Sequence, residues 1–348
     1  MYLIFRKFEP VFPKQEYNES MLPQDIKNYA SQFAWTPVLE NAGKLRKKFS
    51  KFIVVGMGGS HLAADILKAW HPELDLIVWS NYGLPRLNEK TLKESLIILS
   101  SYSGNTEETL DAFAVATAKR YPVAVVAADG KLIRLAQKAN VPYIKMPHEN
   151  IQPRMALGFS LMAMLAVIGE KTWMLEAREL AKQLHPARED RRGQDLAKRL
   201  YGSVPVIYAS AKNAAVAHNW KIKFNETGKI PAFANVVPEL NHNEMTGFDA
   251  KEKAVSLSRG FRFIFLKDGM DDRRILKRMS VLEKLYHDRG FKVEIVLLQG
   301  KNEIQKIFNA LILADWTAYH TAMLYGVDPE QVPMVEEFKK LIISKEQK

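Results

Sequence analysis

The chain contains 348 residues, of which 47% are hydrophobic and 26% are charged, and it has no low-complexity run. This length and composition predict a soluble globular protein with room for two compact domains, and they exclude a disordered chain. Cysteine is absent, which excludes disulfide bonds, thiolate metal sites and cysteine nucleophiles and fits a cytoplasmic protein.

The formal net charge of +11 does not by itself indicate a nucleic-acid partner. The lysines and arginines are spread along the chain and interleaved with acids, as in HPAREDRRGQDLAKRL. Solvated faces are therefore favoured, and we expect no nucleic acid as a partner. A positive field would also steer a small phosphorylated substrate toward its site.

The sequence indicates neither a signal peptide nor a membrane-spanning segment. The N-terminal stretch MYLIFRKFEPVF carries charges at positions 6, 7 and 9 and lacks the apolar core and cleavage site of a signal peptide. The most apolar segment, LGFSLMAMLAVIG at 157–169, is shorter than the roughly 20 residues that span a bilayer. It predicts a buried helix, and we expect a cytoplasmic protein without a membrane partner.

Following an N-terminal helical stretch, short apolar runs alternate with helical segments in the first half of the chain. The runs are rich in β-branched residues and read KFIVVG, LDLIVWS, SLIILSS, PVAVVAA and PYIKMP. Strands that alternate with helices of ten to fifteen residues, as here, are typical of a parallel, doubly wound α/β sheet.

A helical block at roughly 153–200 separates this region from a second alternation of strands and helices. There VPVIYAS leads into KNAAVAHNWKIKFNET, AVSLSRGFRFIFL into a second helix, and KVEIVLLQG into a third. We therefore predict two related α/β domains, residues 1–175 with a leading helical segment and residues 176–348 with a C-terminal helical tail.

The loop after the first predicted strand, in FIVVGMGGSHLAADIL, has the composition of an anion site. Gly56, Gly58 and Gly59 allow a tight turn that brings backbone N–H groups to an anion at a helix N-terminus. A dinucleotide is disfavoured because His61 occupies the place of the third glycine and no acid ends the next strand. No Gly-Lys-Ser/Thr sequence of a P-loop occurs in either loop.

Hydroxyl side chains follow the strand SLIILSS in the segment LSSYSGNTEETLDAF. Ser101, Ser103 and Thr106, together with Ser60 of the first loop, predict a phosphate site built from neutral donors. The alternative is that Ser103 or Thr106 only caps the following helix, which Thr106-Glu107-Glu108 would allow. A single cap would explain one hydroxyl and not the whole set.

The motifs GMGGSH, SSYSGNTEETL and QPRMALG resemble the sugar isomerase (SIS) domain. Together with NETGKIP, NHNE and LYGVDPEQVPMVEEFKKL, they resemble the bifunctional phosphoglucose/phosphomannose isomerase family, from about residue 30 to the C-terminus. The resemblance implies two SIS-type domains, each a flavodoxin-like parallel sheet between helices. It also implies a homodimer with active sites at the interface and interconversion of glucose 6-phosphate, and of mannose 6-phosphate, with fructose 6-phosphate.

Such an isomerase opens the sugar ring, moves a proton between adjacent carbons and stabilises the cis-enediolate formed between these steps. By resemblance, Glu226 in FNETGKIP is the base, a role that suits a partly buried carboxylate. His242 matches the family's histidine for ring opening, which needs a group that donates and accepts protons near neutrality. The competing interpretations are a solvated glutamate and a structural histidine.

Two cations complete the implied site. Arg154 in QPRMALG matches the arginine that stabilises the enediolate, with helix capping or a salt bridge as the alternative. Lys339 matches a C-terminal lysine that assists at the ring oxygen or hydroxyls, although Lys340 is adjacent. Phosphate binding would fall to the two loops, through Gly59, Ser60, Ser101, Ser103 and Thr106.

One helix cannot present both Glu226 and His242, because Gly228, Pro231 and Pro238 lie between them. Tertiary folding or a second subunit must bring them together.

The chain departs from the family pattern in two places. His61 replaces a glycine of the first loop, where it either crowds the phosphate or points away, and DPEQV lacks a threonine expected there. Since that C-terminal region bears on epimer choice, glucose 6-phosphate is better supported as a substrate than mannose 6-phosphate.

Other functions remain as alternatives. A non-catalytic sugar-phosphate regulator would need the two loops but not Glu226, His242 and Lys339 together, and residues 1–45 are too short for a helix-turn-helix domain. Isomerases of other sugar phosphates are usually single-domain chains, and an amidotransferring relative would need an N-terminal cysteine. No His-x-His or His-Glu-x-x-His cluster occurs, so we expect neither a metal nor a cofactor.

Overall fold

The computed structural model describes residues 20–45, 47–147, 151–249 and 254–342. The stretch MYLIFRKFEPVF, on which the expectation about targeting depends, lies outside the described residues. Among those described, no helix is both long and apolar enough to cross a bilayer.

The first half of the chain forms a five-stranded sheet in which every neighbouring pair is parallel, as predicted. Its strand order, β2-β1-β3-β4-β5, is that of flavodoxin-like folds. The central strands β3 and β4 are buried along their whole length, which explains their continuous apolar sequence. The strands are β1 Lys51–Val55, β2 Asp75–Trp79, β3 Leu96–Ser100, β4 Val123–Ala127 and β5 Tyr143–Lys145.

Helices connect these strands and fill the middle of the chain. The apolar segment predicted as a buried helix is α6, and it is buried over nearly its whole length. The predicted domain boundary at 175–176 lies within α7 and stays a prediction. The helices are α1 Leu22–Lys27, α2 Gly59–Trp70, α3 Glu89–Glu94, α4 Glu107–Ala118, α5 Lys131–Lys138, α6 Leu157–Ile168, α7 Lys171–Gln183 and α8 Asp190–Leu200.

The second half forms a four-stranded parallel sheet of order β7-β6-β8-β9, which repeats the first four positions of the other sheet. Its strands are β6 Val204–Ser210, β7 Phe233–Val237, β8 Phe261–Asp268 and β9 Val293–Leu298. Its helices are α9 Ala214–Glu226, α10 Glu244–Gly247, α11 Val255–Ser258, α12 Arg273–Asp288, α13 Glu303–Tyr325 and α14 Pro333–Ile342.

Short 3-10 helices complete the described secondary structure. They span Tyr29–Ala34, Ala42–Lys44, Pro153–Met155, Pro186–Glu189, Ala211–Asn213 and Glu239–His242.

The two sheets share one apolar core. A single cluster joins Ile98 of β3 to Ile264 of β8 through the buried helices α6 and α13. Side chains of alternate positions, such as Ile97 and Phe263, face two outer clusters instead, as the two-residue period of a strand requires. Helix α2 of the first half packs against α9 of the second.

The direction in which strands are added reverses between β1 and β3 of the first sheet. A parallel sheet opens a crevice at the carboxyl ends of its strands at such a point, and ligands bind there. The glycine loop follows β1 and the hydroxyl loop follows β3, so the fold brings both predicted phosphate loops to this crevice.

Candidate active site

The two phosphate loops are joined by hydrogen bonds at Ser60. Ser100 Oγ donates to the carbonyl oxygen of Ser60 at 2.7 Å, and the Tyr102 N–H donates to Ser60 Oγ at 3.0 Å. Ser60 is buried, and it is the second residue of α2, directly after Gly59. The sequence expectation that these loops lie together is met by their geometry.

The hydroxyls of the second loop do not cap the helix that follows them. Thr106 occupies the N-cap position of α4 but its side chain makes no capping bond, and its Oγ1 lies 2.9 Å from Ser101 Oγ instead. Ser103 Oγ accepts from the N–H of Asn105, which precedes the helix. The capping alternative therefore fails, and the hydroxyls converge beside the N-terminus of a helix, where an anion is favoured.

Gly59 allows the first loop to contact the segment that carries Arg154. A Cβ atom on Gly59 would lie 3.0 Å from the carbonyl carbon of Pro153 and 3.1 Å from the backbone nitrogen of Arg154. Since both neighbours are backbone atoms, any larger residue would push the two segments apart. Glycine at this position thus sets the distance between the phosphate loop and the arginine.

Arg154 is buried, with only 2% of its side chain exposed, and its guanidinium is fully engaged. Burial lowers the pKa of Arg154, and the Glu226 carboxylate opposes this, but a guanidinium keeps its charge in proteins. The groups that accept its hydrogen bonds are Thr227 Oγ1 at 2.9 Å, the Pro329 and Glu330 carbonyl oxygens at 2.8 and 3.0 Å, and Gln152 Oε1 at 3.3 Å.

Glu226 is the last residue of α9, where the helix meets the loop that follows it. One of its carboxylate oxygens, Oε2, lies 3.5 Å from Arg154 Nη1. The glutamate side chain is 37% exposed, so a ligand can reach it, whereas its arginine partner is buried and held by its own hydrogen-bond acceptors. Glu226 and Arg154 can therefore present a proton acceptor and a fixed positive charge to the same small molecule.

A buried ion pair holds the end of α9 against the core. Lys223 Nζ donates to Asp315 Oδ1 of α13, and both side chains are 2% exposed. Burial raises the pKa of the Asp315 carboxyl, and the Lys223 ammonium opposes that rise. Because Lys223 precedes Glu226 by less than one helical turn, the pair restrains the backbone that carries the carboxylate.

Comparison with known proteins identifies relatives along almost the whole chain. A model of the bacterial phospho-glucose isomerase C-terminal SIS domain matches residues 189–342. The bifunctional phosphoglucose/phosphomannose isomerase of Aquifex aeolicus is 30% identical over 321 residues, which are 90% of this chain and 96% of the relative. The Thermoplasma volcanium protein of the same name is 32% identical, over 85% of this chain and 92% of its own.

This chain belongs to the bifunctional phosphoglucose/phosphomannose isomerase family. The fold agrees with that assignment. The tagatose-6-phosphate ketose/aldose isomerase of Escherichia coli superposes with a TM-score of 0.66 at 16% identity, covering 89% of this chain and 94% of its own. The expectation of two SIS-type α/β units is thereby confirmed.

The remaining two residues that the family resemblance assigns lie apart from the arginine–glutamate pair. His242 ends a 3-10 helix after β7 and is exposed, and Lys339 in α14 pairs with Glu336 at 2.7 Å. Within the described residues, no hydrogen bond or ion pair joins His242 or Lys339 to Arg154 or Glu226. Lys340 is likewise exposed.

His61, the departure in the first loop, has its own partner on the flank of α2. Its Nδ1 lies 2.7 Å from Asp65 Oδ2 one turn further along the helix. The ring lines a cavity of about 900 Å³ with His218 and Lys212, outside the cluster of hydroxyls. Of the two possibilities left by the sequence, crowding of the phosphate and pointing away, this geometry favours the second.

Several residues at the site escaped sequence reasoning. Thr227 and Lys229 stand inside the motif NETGKIP but had no assigned role, and Lys223 and Asp315 look like ordinary helical residues. The DPEQV segment was linked to epimer choice, and its backbone carbonyls prove to hold Arg154. The described residues contain no group of three or more potential metal ligands.

Proposed function

We propose that this protein interconverts glucose 6-phosphate, and also mannose 6-phosphate, with fructose 6-phosphate. The observation that carries the proposal is the buried Arg154 guanidinium 3.5 Å from the Glu226 carboxylate, beside two hydroxyl-rich loops. The names of the relatives, bifunctional phosphoglucose/phosphomannose isomerases, give the substrate class.

The phosphate of the substrate would bind where the two loops converge. Ser60, Ser101, Ser103 and Thr106 offer hydroxyl donors, and the backbone at Gly59 opens α2 toward an anion. No lysine or metal is required for this part of the site, because neutral donors orient a phosphate while the N-termini of α2 and α4 favour its charge.

Glu226 would carry the proton. Its carboxylate removes the proton from carbon 2 of the open-chain aldose, and a hydroxyl proton passes between oxygens 2 and 1 of the resulting cis-enediolate. Glu226 then returns the proton to carbon 1, which gives the ketose. The fixed guanidinium of Arg154 stabilises the negative charge that develops on the enediolate oxygens.

His242 would open the sugar ring, and Lys339 or Lys340 would assist at the ring oxygen. Since neither His242 nor Lys339 contacts the Arg154–Glu226 pair within one chain, we infer that the active form is a homodimer with composite sites. Helix α14 supports this inference with an exposed apolar stripe that needs a cover. The stripe consists of Met334, Val335, Phe338, Leu341 and Ile342.

A second copy of the chain would cover this stripe and bring its own His242 or lysine toward the crevice. We propose neither a cofactor nor a nucleic-acid or membrane partner, because the reaction moves only protons within one sugar phosphate. A cytoplasmic location is the natural one for a cysteine-free enzyme of sugar phosphates.

The test is isomerisation of fructose 6-phosphate by the purified protein with EDTA present, with both aldose products resolved. Glu226→Gln removes the base, and Glu179→Gln on the exposed face of α7 is the matched control. We expect both products from the wild type and from Glu179→Gln and neither from Glu226→Gln. If glucose 6-phosphate is the only product, the enzyme does not accept the mannose epimer. If the protein binds fructose 6-phosphate but forms neither product, the result favours a non-catalytic sugar-phosphate regulator.

A further inference from the structure

The half-buried carboxylate of Glu244 ties the segment that carries His242 to the second sheet. Glu244 is the first residue of α10, two residues after His242. The hydroxyl of Tyr208 in β6 donates to Glu244 Oε1 at 2.6 Å, and Asn235 Nδ2 of β7 donates to Glu244 Oε2. Side chains of two neighbouring strands therefore hold both oxygens of this carboxylate.

The orientation of both donors is set by their other hydrogen bonds. Asn235 Oδ1 accepts from the N–H of Val236 at 2.8 Å, which leaves the amide NH₂ group to face the carboxylate. Tyr208 is fully buried, and its hydroxyl oxygen lies 3.4 Å from that of Tyr286. Since a phenol has one hydrogen, Tyr286 donates to Tyr208 while Tyr208 donates to Glu244. Burial raises the pKa of the Tyr208 phenol, so this donor keeps its proton.

The segment 239–247 that contains His242 is short and mostly exposed. Leu240 is its one buried side chain, and Met245 packs at the edge of the same apolar cluster. A helix of four residues, such as α10, has almost no stability of its own in water. Of the side-chain hydrogen bonds described for the segment, those of Glu244 reach the sheet, whereas those of Asn241 and Asn243 stay within the segment. The Glu244 carboxylate is thus its polar anchor.

We propose that Glu244 is a positioning residue for the isomerisation, which binds Tyr208 and Asn235 and thereby keeps the His242 imidazole in place for ring opening. This inference rests on the proposed role of His242. A group that transfers a proton must be held within hydrogen-bond reach of it, and a misplacement of about 1 Å can cost roughly 10²-fold in rate. Loss of the anchor should therefore slow the step that needs His242 and spare the proton transfer at Glu226.

The test compares a substrate that forms a ring with one that cannot. Glucose 6-phosphate must open its ring, whereas erythrose 4-phosphate stays open because its phosphate occupies the oxygen that would close a five-membered ring. Glu244→Gln places an amide NH₂ group where a carboxylate oxygen accepted a hydrogen bond. We expect this variant to lower kcat/KM roughly 10²-fold for glucose 6-phosphate and less than about twofold for erythrose 4-phosphate. Tyr208→Phe should shift the ratio of the two values in the same direction by less, and the exposed Glu179→Gln should match the wild type.

A second readout does not depend on turnover. Relaxation of a carbon-13 label at Cε1 of His242, assigned with His242→Ala, reports the motion of the ring, and its order parameter should fall in Glu244→Gln but not in Glu179→Gln. Equal losses of kcat/KM for both substrates, or a ring as ordered as in the wild type, would mean that Glu244 only stabilises the fold and would overturn the proposal. A wild type that makes no product from glucose 6-phosphate would refute the isomerase activity, while the relaxation still decides whether Glu244 holds His242.

Discussion

Arg154 Nη1 lies 3.5 Å from Glu226 Oε2, and the two side chains differ sharply in exposure, 2% against 37%. The guanidinium is held by acceptors from Gln152, Thr227 and the 329–330 backbone, so it cannot follow a ligand. The carboxylate, by contrast, is accessible from solvent. A preorganised charge beside an accessible carboxylate suits the stabilisation of an anionic intermediate without reorganisation, as our proposal for Glu226 and Arg154 requires.

Replacement of Arg154 should therefore affect kcat more than KM. We expect Arg154→Met to lower kcat by about 10²- to 10³-fold, because the enediolate loses a donor and a charge that act mainly in the transition state. Arg154→Lys should recover little, since an ammonium cannot reach all four acceptors. Steady-state kinetics with glucose 6-phosphate measures both values. A raised KM with kcat unchanged would contradict the assignment, and the exposed Arg278→Met is the control.

The Lys223–Asp315 pair should stabilise the fold that holds Glu226. Lys223→Met leaves a buried carboxylate without its cation, so we expect a loss of about 3–5 kcal/mol in the free energy of unfolding at neutral pH. Burial already raises the pKa of Asp315, and loss of the cation raises it further. Because a protonated Asp315 needs no cation, the loss should shrink as pH falls through that raised value.

Urea unfolding of Lys223→Met and wild type at neutral and acidic pH measures this difference. The double variant Lys223→Met/Asp315→Leu removes both charges, so it should be more stable than the single variant at neutral pH. Equal losses at both pH values would mean that the carboxylate is not the source of the effect.

The sequence predicted the five strands of the first sheet and three of the four strands of the second, but it missed β7, Phe233–Val237. Runs such as KFIVVG and SLIILSS carry the continuous apolar pattern of strands covered on both faces, and the structure places both in the first sheet. The hydroxyl loop was predictable for the same local reason, because its residues directly follow β3.

The meeting of Arg154 with Glu226 was not predictable from local pattern. The two residues lie on opposite halves of the chain, and their distance depends on how α2 packs against α9 and on the carbonyls of Pro329 and Glu330. Only the family resemblance indicated the pair. Lys223 and Asp315 gave no signal at all, since burial of a charged pair is a property of tertiary packing.

Gly59 should control phosphate affinity. In Gly59→Ala the new methyl group would lie about 3 Å from the backbone of Pro153 and Arg154, which cannot rotate away. We expect the first loop to move and the KM for the sugar phosphate to rise roughly tenfold, with a matching rise in the inhibition constant of inorganic phosphate. Gly43→Ala is the control, since no atom lies within 4 Å of its added Cβ. Unchanged phosphate inhibition in Gly59→Ala would refute the role of this loop.

Complementation between inactive variants should reveal a composite site. Suppose that His242 of one chain serves Glu226 of the other. A heterodimer of Glu226→Gln with His242→Ala then contains one site in which both residues are intact. After unfolding and refolding of an equal mixture, half of the dimers are mixed, so we expect about a quarter of the wild-type activity per site.

Sites built within single chains predict that the mixed dimers recover no activity. If each chain supplies both residues to its own site, every site of the mixed dimer lacks one of them and no activity returns. The same mixing with Lys339→Ala in place of His242→Ala tests the lysine, and light scattering of the refolded sample counts the chains. A monomer that is fully active would contradict the homodimer and would require His242 to approach Glu226 within one chain.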